Sequence, residues 1–354
     1  MNRLLLTVLM SVKNGEPYLW ECVESILNQT YKDFKFLILD NASTDKSRDI
    51  IRSFNDPRIQ LIELPKDIGQ VAALNKGLDM IDTPLAARMD ADDISMPRRF
   101  ECQVAFMEKH PEVGACGTYA TAFFNNTRKK LAKKTNNRIK WEKPCKPDDI
   151  YAGLLFGCAL AHPSVMMRKA LFDKYRLRYD EKIGFSEDWE LWQKAAAHFP
   201  LANIPRYLLD YRIHEHSVSR QNMEAQRKVD KMLIQRALEP LGLNDHPYKV
   251  VQENIVLDPS FHPENNNPDF LDSILEWFRE LEAANRRTGI YKEKSLRKAM
   301  KKRLFTVLDL NVQLKGAVLK VFFKESLFLY AGLVPSVKFV AKVFLFSLGL
   351  KKPK

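Results

Sequence analysis

The chain has 354 residues, 45% of them hydrophobic and 28% charged, the composition of a globular protein with ample core material. Its five cysteines form no CxxC pair and no metal-ligand spacing, which argues against a disulfide framework and for a reducing compartment. The formal net charge is +12, yet 17 Lys/Arg against three acids lie from Arg286 onward, a local +14, so the rest of the chain sums to −2.

The first hundred residues alternate strand-like and helix-like segments. Residues 4–11 are a continuous apolar run, which suits a strand covered on both faces. The run is too short for a signal peptide, ends in Lys13-Asn14-Gly15 and carries no small-residue cleavage site. Helical spacing follows over 17–28, with Pro17 suited to a first turn. Strands are predicted at 34–40, 59–63 and 84–89, and helices at 45–54, 69–80 and 97–109. Alternation of this length predicts a parallel sheet with helices on both faces, and in such sheets ligands bind beyond the carboxyl ends of the strands. Asp40 and the acidic run Asp90-Ala91-Asp92-Asp93 both fall at such ends.

The middle is less regular. Strands are expected at 113–124, 164–167 and 204–211, a helix at 187–198, and a polar loop or hairpin over 125–146. Sheet signals stop near Arg220, after which 223–241, 269–287 and 292–310 read as helices and 244–269 as a linker rich in Pro and Asn. The domain division that follows is a catalytic domain at 1–220, a helical extension at 221–310 and a basic amphipathic tail at 311–354.

Three aspartates within four residues repel one another unless solvent, hydrogen bonds or a cation offsets the repulsion. A hard divalent ion, Mn²⁺ or Mg²⁺, takes one or two carboxylates plus substrate phosphates. The alternative is a solvated turn with helix-capping acids before Pro97.

Read in order, several stretches resemble the inverting family 2 glycosyltransferases with the GT-A fold. They are VLMSVKNGEPYLWECVESILNQTYKDFKFLILDNASTDKS, DIGQVAALNKGLDM, RMDADD, HPSVMMRK, FSEDWELWQKA and YRIHEHSVS, which together span residues 4–220. The resemblance implies a Rossmann-like, mostly parallel sheet, a nucleotide-sugar donor (by family habit a UDP-sugar) and a divalent cation. It implies that Ser11 and Asn14 line the nucleotide pocket, with Lys13 where the family often has an aromatic residue. Asp40 would accept a hydrogen bond from uracil or ribose, and Asp90 and Asp92 form the metal-binding DxD pair. Asp93 would contact the sugar or the metal's surroundings. Arg212 and His214 would sit near the diphosphate, with His214 a further metal ligand. Asp188 matches the family's general base, preceded by Glu187. The acceptor would be a saccharide or lipid-linked saccharide.

Each assignment has a plainer rival. Glu187 and Asp188 follow Ser186 in a first helical turn, where acids are favoured by the helix dipole anyway. His162 reads equally as an acceptor-site residue or a packed core histidine, and Trp189 and Trp192 more readily as core than as a sugar platform. A nucleic-acid-binding protein is suggested by the basic pI, but no binding motif supports it and the domain holding the motifs is not basic. A dinucleotide-dependent oxidoreductase lacks its GxGxxG, a processive synthase its QxxRW and spanning helices. A catalytically inactive family member remains the alternative to an enzyme.

The tail alternates apolar clusters with lysines, and neither half around Pro335 reaches the ~20 clean apolar residues of a spanning helix. It reads as helices lying in a membrane interface, drawn by anionic lipid, which places the protein on the cytoplasmic face of the cell membrane. The rival reading is a helical domain packing its apolar face on the catalytic body.

Overall fold

The computed structural model describes residues 5–124, 138–215, 222–259 and 269–348. It contains two compact units: residues 1–150 with 158–226, and residues 151–157 with 227–354.

The first unit opens as the hydrophobic pattern predicts. Strand β1 (Leu6–Val12) leads to helix α1 (Glu16–Leu27), then β2 (Phe34–Asp40), α2 (Ser47–Ser53), β3 (Ile59–Glu63), α3 (Gln70–Met80) and β4 (Leu85–Asp90). Residues of both parities in β1 are sequestered from water, Leu6, Val8, Leu9 and Met10 all being fully buried. One face packs on α1 and on α4 (Arg99–Lys109), where Cys22, Ile26, Phe100 and Val104 share a core with Val8, Met10 and Met89. The other face receives α3 at Gly77. A Cβ there would lie 2.3 Å from Leu9 Cδ1 and 3.0 Å from Leu39 Cδ1, so the absence of a side chain sets how closely the helix approaches.

The remaining strands are β5 (Ile94–Ser95), β6 (Ala115–Phe124), β7 (Arg138–Trp141), β8 (Met166–Arg168) and β9 (Leu201–Ile213). The sheet runs β3-β2-β1-β4-β8-β6-β9-β5, with β7 on β6. Its pairings are parallel within β3-β2-β1-β4 and between β6 and β9, and antiparallel at β4–β8, β6–β8, β5–β9 and β6–β7. The sheet is therefore mixed, its parallel character strongest where the βα alternation was strongest. The polar stretch expected as a loop or hairpin contains β7 at its end, and residues 125–137 lie outside the described part. Strand β9 starts earlier than expected because register shifts around Tyr119 absorb Pro205, which has no N–H to give the ladder. Short helices α5 (Pro147–Gly153), α6 (Lys169–Lys174) and α7 (Glu187–Ala196) complete the order.

The second unit is helical: α8 (Met223–Leu238), α9 (Lys249–Leu257), α10 (Asp269–Thr288), α11 (Glu293–Leu310), α12 (Gly316–Lys324), α13 (Leu327–Ala331) and α14 (Leu333–Ser347). Helix α8 begins just before the unit does. The expected linker over 244–269 instead contains α9, whose Gln252 is fully buried, accepts from Trp277 Nε1 at 2.7 Å and donates to the Leu155 carbonyl at 2.7 Å. All its Pro residues, and all its Asn residues but Asn254, lie on either side of that helix and conceal the short apolar period between. The Leu155 bond, and Arg303 bound to the Phe156 carbonyl, tie the excursion 151–157 into this unit.

Trp189 and Trp192 are 4% and 0% exposed, so both are core residues. Trp192→Ala is expected to destabilise the sheet-bearing unit by about 3–5 kcal/mol, measured by denaturant unfolding. A loss below about 1 kcal/mol would show that the indole is not a packing element there.

Candidate active site

Three sequence-predicted residues meet because β1, β2 and β4 end together. In the parallel ladder Val12 pairs with Asp40 and Ser11 with Asp90, so Ser11, Asp40 and Asp90 stand on adjacent strands at one sheet edge. The loops beyond are stitched by side chains. Asn14, with φ 54°, donates its N–H to Ser43 Oγ at 3.0 Å, and its Oδ1 accepts from the Thr44 N–H at 2.9 Å. Gly15 N–H donates to Ser47 Oγ, and Glu16 N–H to Asp45 Oδ2. Lys13 pairs with Asp67, which also accepts from Asn41 Nδ2 and the Gly69 N–H. Asp40 is fully buried. Its Oδ1 accepts from Arg48 Nε at 2.7 Å and the Ser43 N–H at 3.1 Å, while its Oδ2 has no hydrogen-bond partner among the described residues.

The acidic run divides its carboxylates among different partners. Asp90 Oδ1 meets Arg88 Nη2, and Arg88 is fully buried. Asp92 is partly exposed, and its Oδ2 stands 2.9 Å from His214 Nε2. Asp93 is 1% exposed; its Oδ1 accepts the Arg212 N–H at 2.8 Å, and its Oδ2 has no partner among the described residues. Burial pushes Asp90 above the ordinary carboxylate range although Arg88 pulls it down, and Asp92 adds to the rise. Asp93 is held well above that range by burial, then by the charges of Asp92 and Asp90.

Strand β9 supplies the cationic wall. Arg212 is 5% exposed; its Nε donates to the Asp92 carbonyl at 2.7 Å, and its Nη2 pairs with Glu21. Its guanidinium lies 4.7 Å from the ring centres of Tyr18 and Phe123, and His214 packs on Tyr18 at 4.7 Å. Of the YRIHEHSVS segment, residues 216–219 lie outside the described part.

Asp188 sits in the first turn of α7, after Ser186 with φ 54°. Its Oδ1 accepts the Trp189 N–H at 2.8 Å and its Oδ2 the Cys158 thiol at 3.1 Å. Lys143 donates to the Cys158 carbonyl at 2.8 Å. Burial raises Asp188 above its ordinary range, opposed by the Cys158 and Trp189 bonds and by the charge of Lys143. Burial, and then Asp188, keep the Cys158 thiol far from ionising. His162 joins Tyr179 Oη at 2.7 Å, and burial together with the charge of Arg88 holds the imidazole neutral.

Sequence reasoning missed Arg88, Glu21, Tyr18 and Cys158. Arg88 had a usable signal: it lies two residues before Asp90 on a strand, hence on the same face. The other three are joined to the site only by tertiary contacts.

Oxygen and imidazole donors suit Mg²⁺ or Mn²⁺. Among the described residues no three Asp, Glu, His or Cys side chains already form a group able to hold a metal. Ions of this kind complete their shell with phosphate and water. The buried Oδ2 of Asp93 is an acceptor that a ligand hydroxyl or an ion's water would satisfy.

Burial, and then the Asp188 charge, raise Glu187 from 4.5 to about 7. The carboxyl therefore leaves stability untouched below pH 4.5 and weakens the fold progressively as pH rises to 7. Relative to wild type, Glu187→Gln is expected to gain stability across that window. The difference in Tm, variant minus wild type, should be larger above pH 7 than at pH 4.5, and a pH-independent difference would rule this out.

The sequence matches the family described as Glycosyl transferase family 2 over residues 7–176. An uncharacterized glycosyltransferase of Methanocaldococcus jannaschii is 34% identical over 218 residues, 60% of this chain and 72% of that protein. The O-antigen biosynthesis glycosyltransferase WbnJ of Escherichia coli is 31% identical over 228 residues, 61% of this chain and 82% of WbnJ. The crystal structure of S. aureus TarS 1–349 in complex with UDP-GlcNAc shares the fold, with a TM-score of 0.54 over 98% of this chain and 92% of that one at 14% identity. With this fold, these relatives and the carboxylates gathered at one sheet edge, the chain belongs to glycosyl transferase family 2 and is a glycosyltransferase of the GT-A fold.

Proposed function

We propose that the protein transfers a sugar from a nucleotide-sugar, UDP-linked in the first instance, to a hydroxyl of a saccharide or lipid-linked saccharide. The pathway class is cell-surface polysaccharide or lipopolysaccharide synthesis, and the place of action is the cytoplasmic face of the cell membrane. The observation that carries the reading is the shared end of β1, β2 and β4, where Ser11 pairs with Asp90, Asp40 closes the neighbouring strand opposite Val12, and the Asp92–His214 pair follows just beyond. The WbnJ name supports the pathway class, and the UDP-GlcNAc of the TarS structure supports the donor class.

In this reading Ser11, Asn14 and Asp40 bind the nucleotide, Asp40 through the Oδ2 that lacks a partner. Asp93 faces the sugar, and Arg212, fixed by Glu21 and Asp93, faces the diphosphate. Asp92 and Asp90, with His214, would hold a divalent cation, Mn²⁺ or Mg²⁺, whose charge neutralises the diphosphate when bound. Asp188 is the general base, oriented by the Trp189 N–H and the Cys158 S–H. The acceptor oxygen forms a bond to the anomeric carbon as the bond to the diphosphate oxygen breaks. The electron pair departs with the diphosphate, and the acceptor proton passes to Asp188. A single displacement of this kind inverts the anomeric centre.

Asp188→Ala is expected to keep donor-induced thermal stabilisation and to lose about 10²–10⁴-fold in turnover. Turnover like wild type would refute the base assignment. Asp92→Ala is expected to abolish both Mn²⁺-dependent transfer and the extra stabilisation that Mn²⁺ gives with a UDP-sugar. Retention of both would remove Asp92 from the metal site.

A further inference from the structure

Helix α14 presents two apolar faces. One is internal: Ser336, Phe339 and Val343 are buried, and the Phe339 ring lies 4.8 Å from Phe322 and 5.7 Å from Phe305. Lys342 fastens the same helix to α11 through Asp309 at 2.9 Å. The other face is open. Leu333, Val334, Val337 and Phe344 are 80%, 61%, 59% and 60% exposed, with Leu348 at 67% just beyond the helix end. At about 100° per residue these positions fall within a stripe roughly 100° wide that contains no charged residue. Lys338 falls just outside its margin. Leu329 of α13, 75% exposed, and Phe323 of α12, 55% exposed, are two more large apolar side chains open to solvent in the same stretch of chain.

Such a ridge is not the ordinary surface of a water-soluble domain. Its charge setting points to the cover. From 311 to 348 the chain has five lysines, with Glu325 its only acid. Lys315, Lys320, Lys324 and Lys338 are exposed. A second copy of the chain seated on this face would bring two net-positive stretches together. An anionic surface would gain from every one of those lysines. No helix among the described residues is long and apolar enough to cross a membrane, so the geometry is that of a helix lying along one.

We propose that the outward stripe of α14 is a membrane-docking face, seated in the headgroup–acyl boundary of an anionic bilayer with the surrounding lysines on the headgroups. The helix is fixed to its unit by its inner face, so docking orders no new segment. It is also independent of which sugar the catalytic unit transfers.

The test is co-sedimentation of the full chain with phosphatidylcholine vesicles with and without phosphatidylglycerol. Wild type should bind the phosphatidylglycerol vesicles and release at high salt. Leu333→Glu/Val337→Glu/Phe344→Glu should lose more than about tenfold in partitioning with an unchanged Tm, because all three positions are more than half exposed. Lys320→Glu/Lys324→Glu should weaken binding to phosphatidylglycerol vesicles specifically. Wild type that ignores phosphatidylglycerol vesicles, or a triple variant that binds them like wild type, would overturn the proposal. So would a wild-type dimer in buffer that the triple variant converts to monomer, since a second copy would then be the cover. Donor binding, read separately by thermal shift with a UDP-sugar and Mn²⁺, distinguishes failure here from failure of the transferase reading.

Discussion

Arg88 carries the electrostatic burden of the catalytic unit. Its guanidinium is fully removed from solvent, bonds Asp90 directly and draws Asp93 and Glu187 toward their charged forms. Around it are carboxylates whose charged forms burial disfavours, and Arg88 opposes that shift without cancelling it. Removing one partner from such a buried arrangement costs about 3–5 kcal/mol, far more than an exposed pair contributes. The repulsion within an acidic knot is thus partly offset inside the fold. The lysine-rich charge lies far along the sequence, while inside the knot the Arg88 guanidinium answers Asp90 and the backbone N–H of Arg212 answers Asp93.

These arginines also distribute roles among acids of one chemical type. Asp90 is committed to Arg88, Asp93 to the backbone of β9, and Asp92 is left partly exposed beside His214. Asp188, on α7, is held by a thiol and a backbone N–H. Environment rather than residue type thus sets how readily each of these carboxylates ionises.

Much of this was legible in the sequence because it rests on local periodicity. The buried runs at Leu6–Val12 and Phe34–Asp40 announce parallel strands, and the acids at their ends announce a binding edge. What escaped was whatever depends on distant partners. Strand β5 has two residues and exists only because Ile94 and Ser95 pair with β9. Helix α9 hides between Pro- and Asn-rich flanks, and the excursion at 151–157 looks like ordinary loop until Gln252 and Arg303 claim its carbonyls. Cys158 had no pattern at all, since a single thiol becomes meaningful only when a carboxylate arrives opposite it.

The parallel register of β1 with β2 and β4 bears on how such a protein can diversify. Side chains alternate sides along a strand, so inserting one residue in β1 would turn Ser11 away and bring a core side chain to the rim in its place. Deletions and insertions are therefore best tolerated beyond the strand tips, in the connections. Such architecture lets new substrate preferences accumulate by loop exchange while the frame beneath them stays fixed in length.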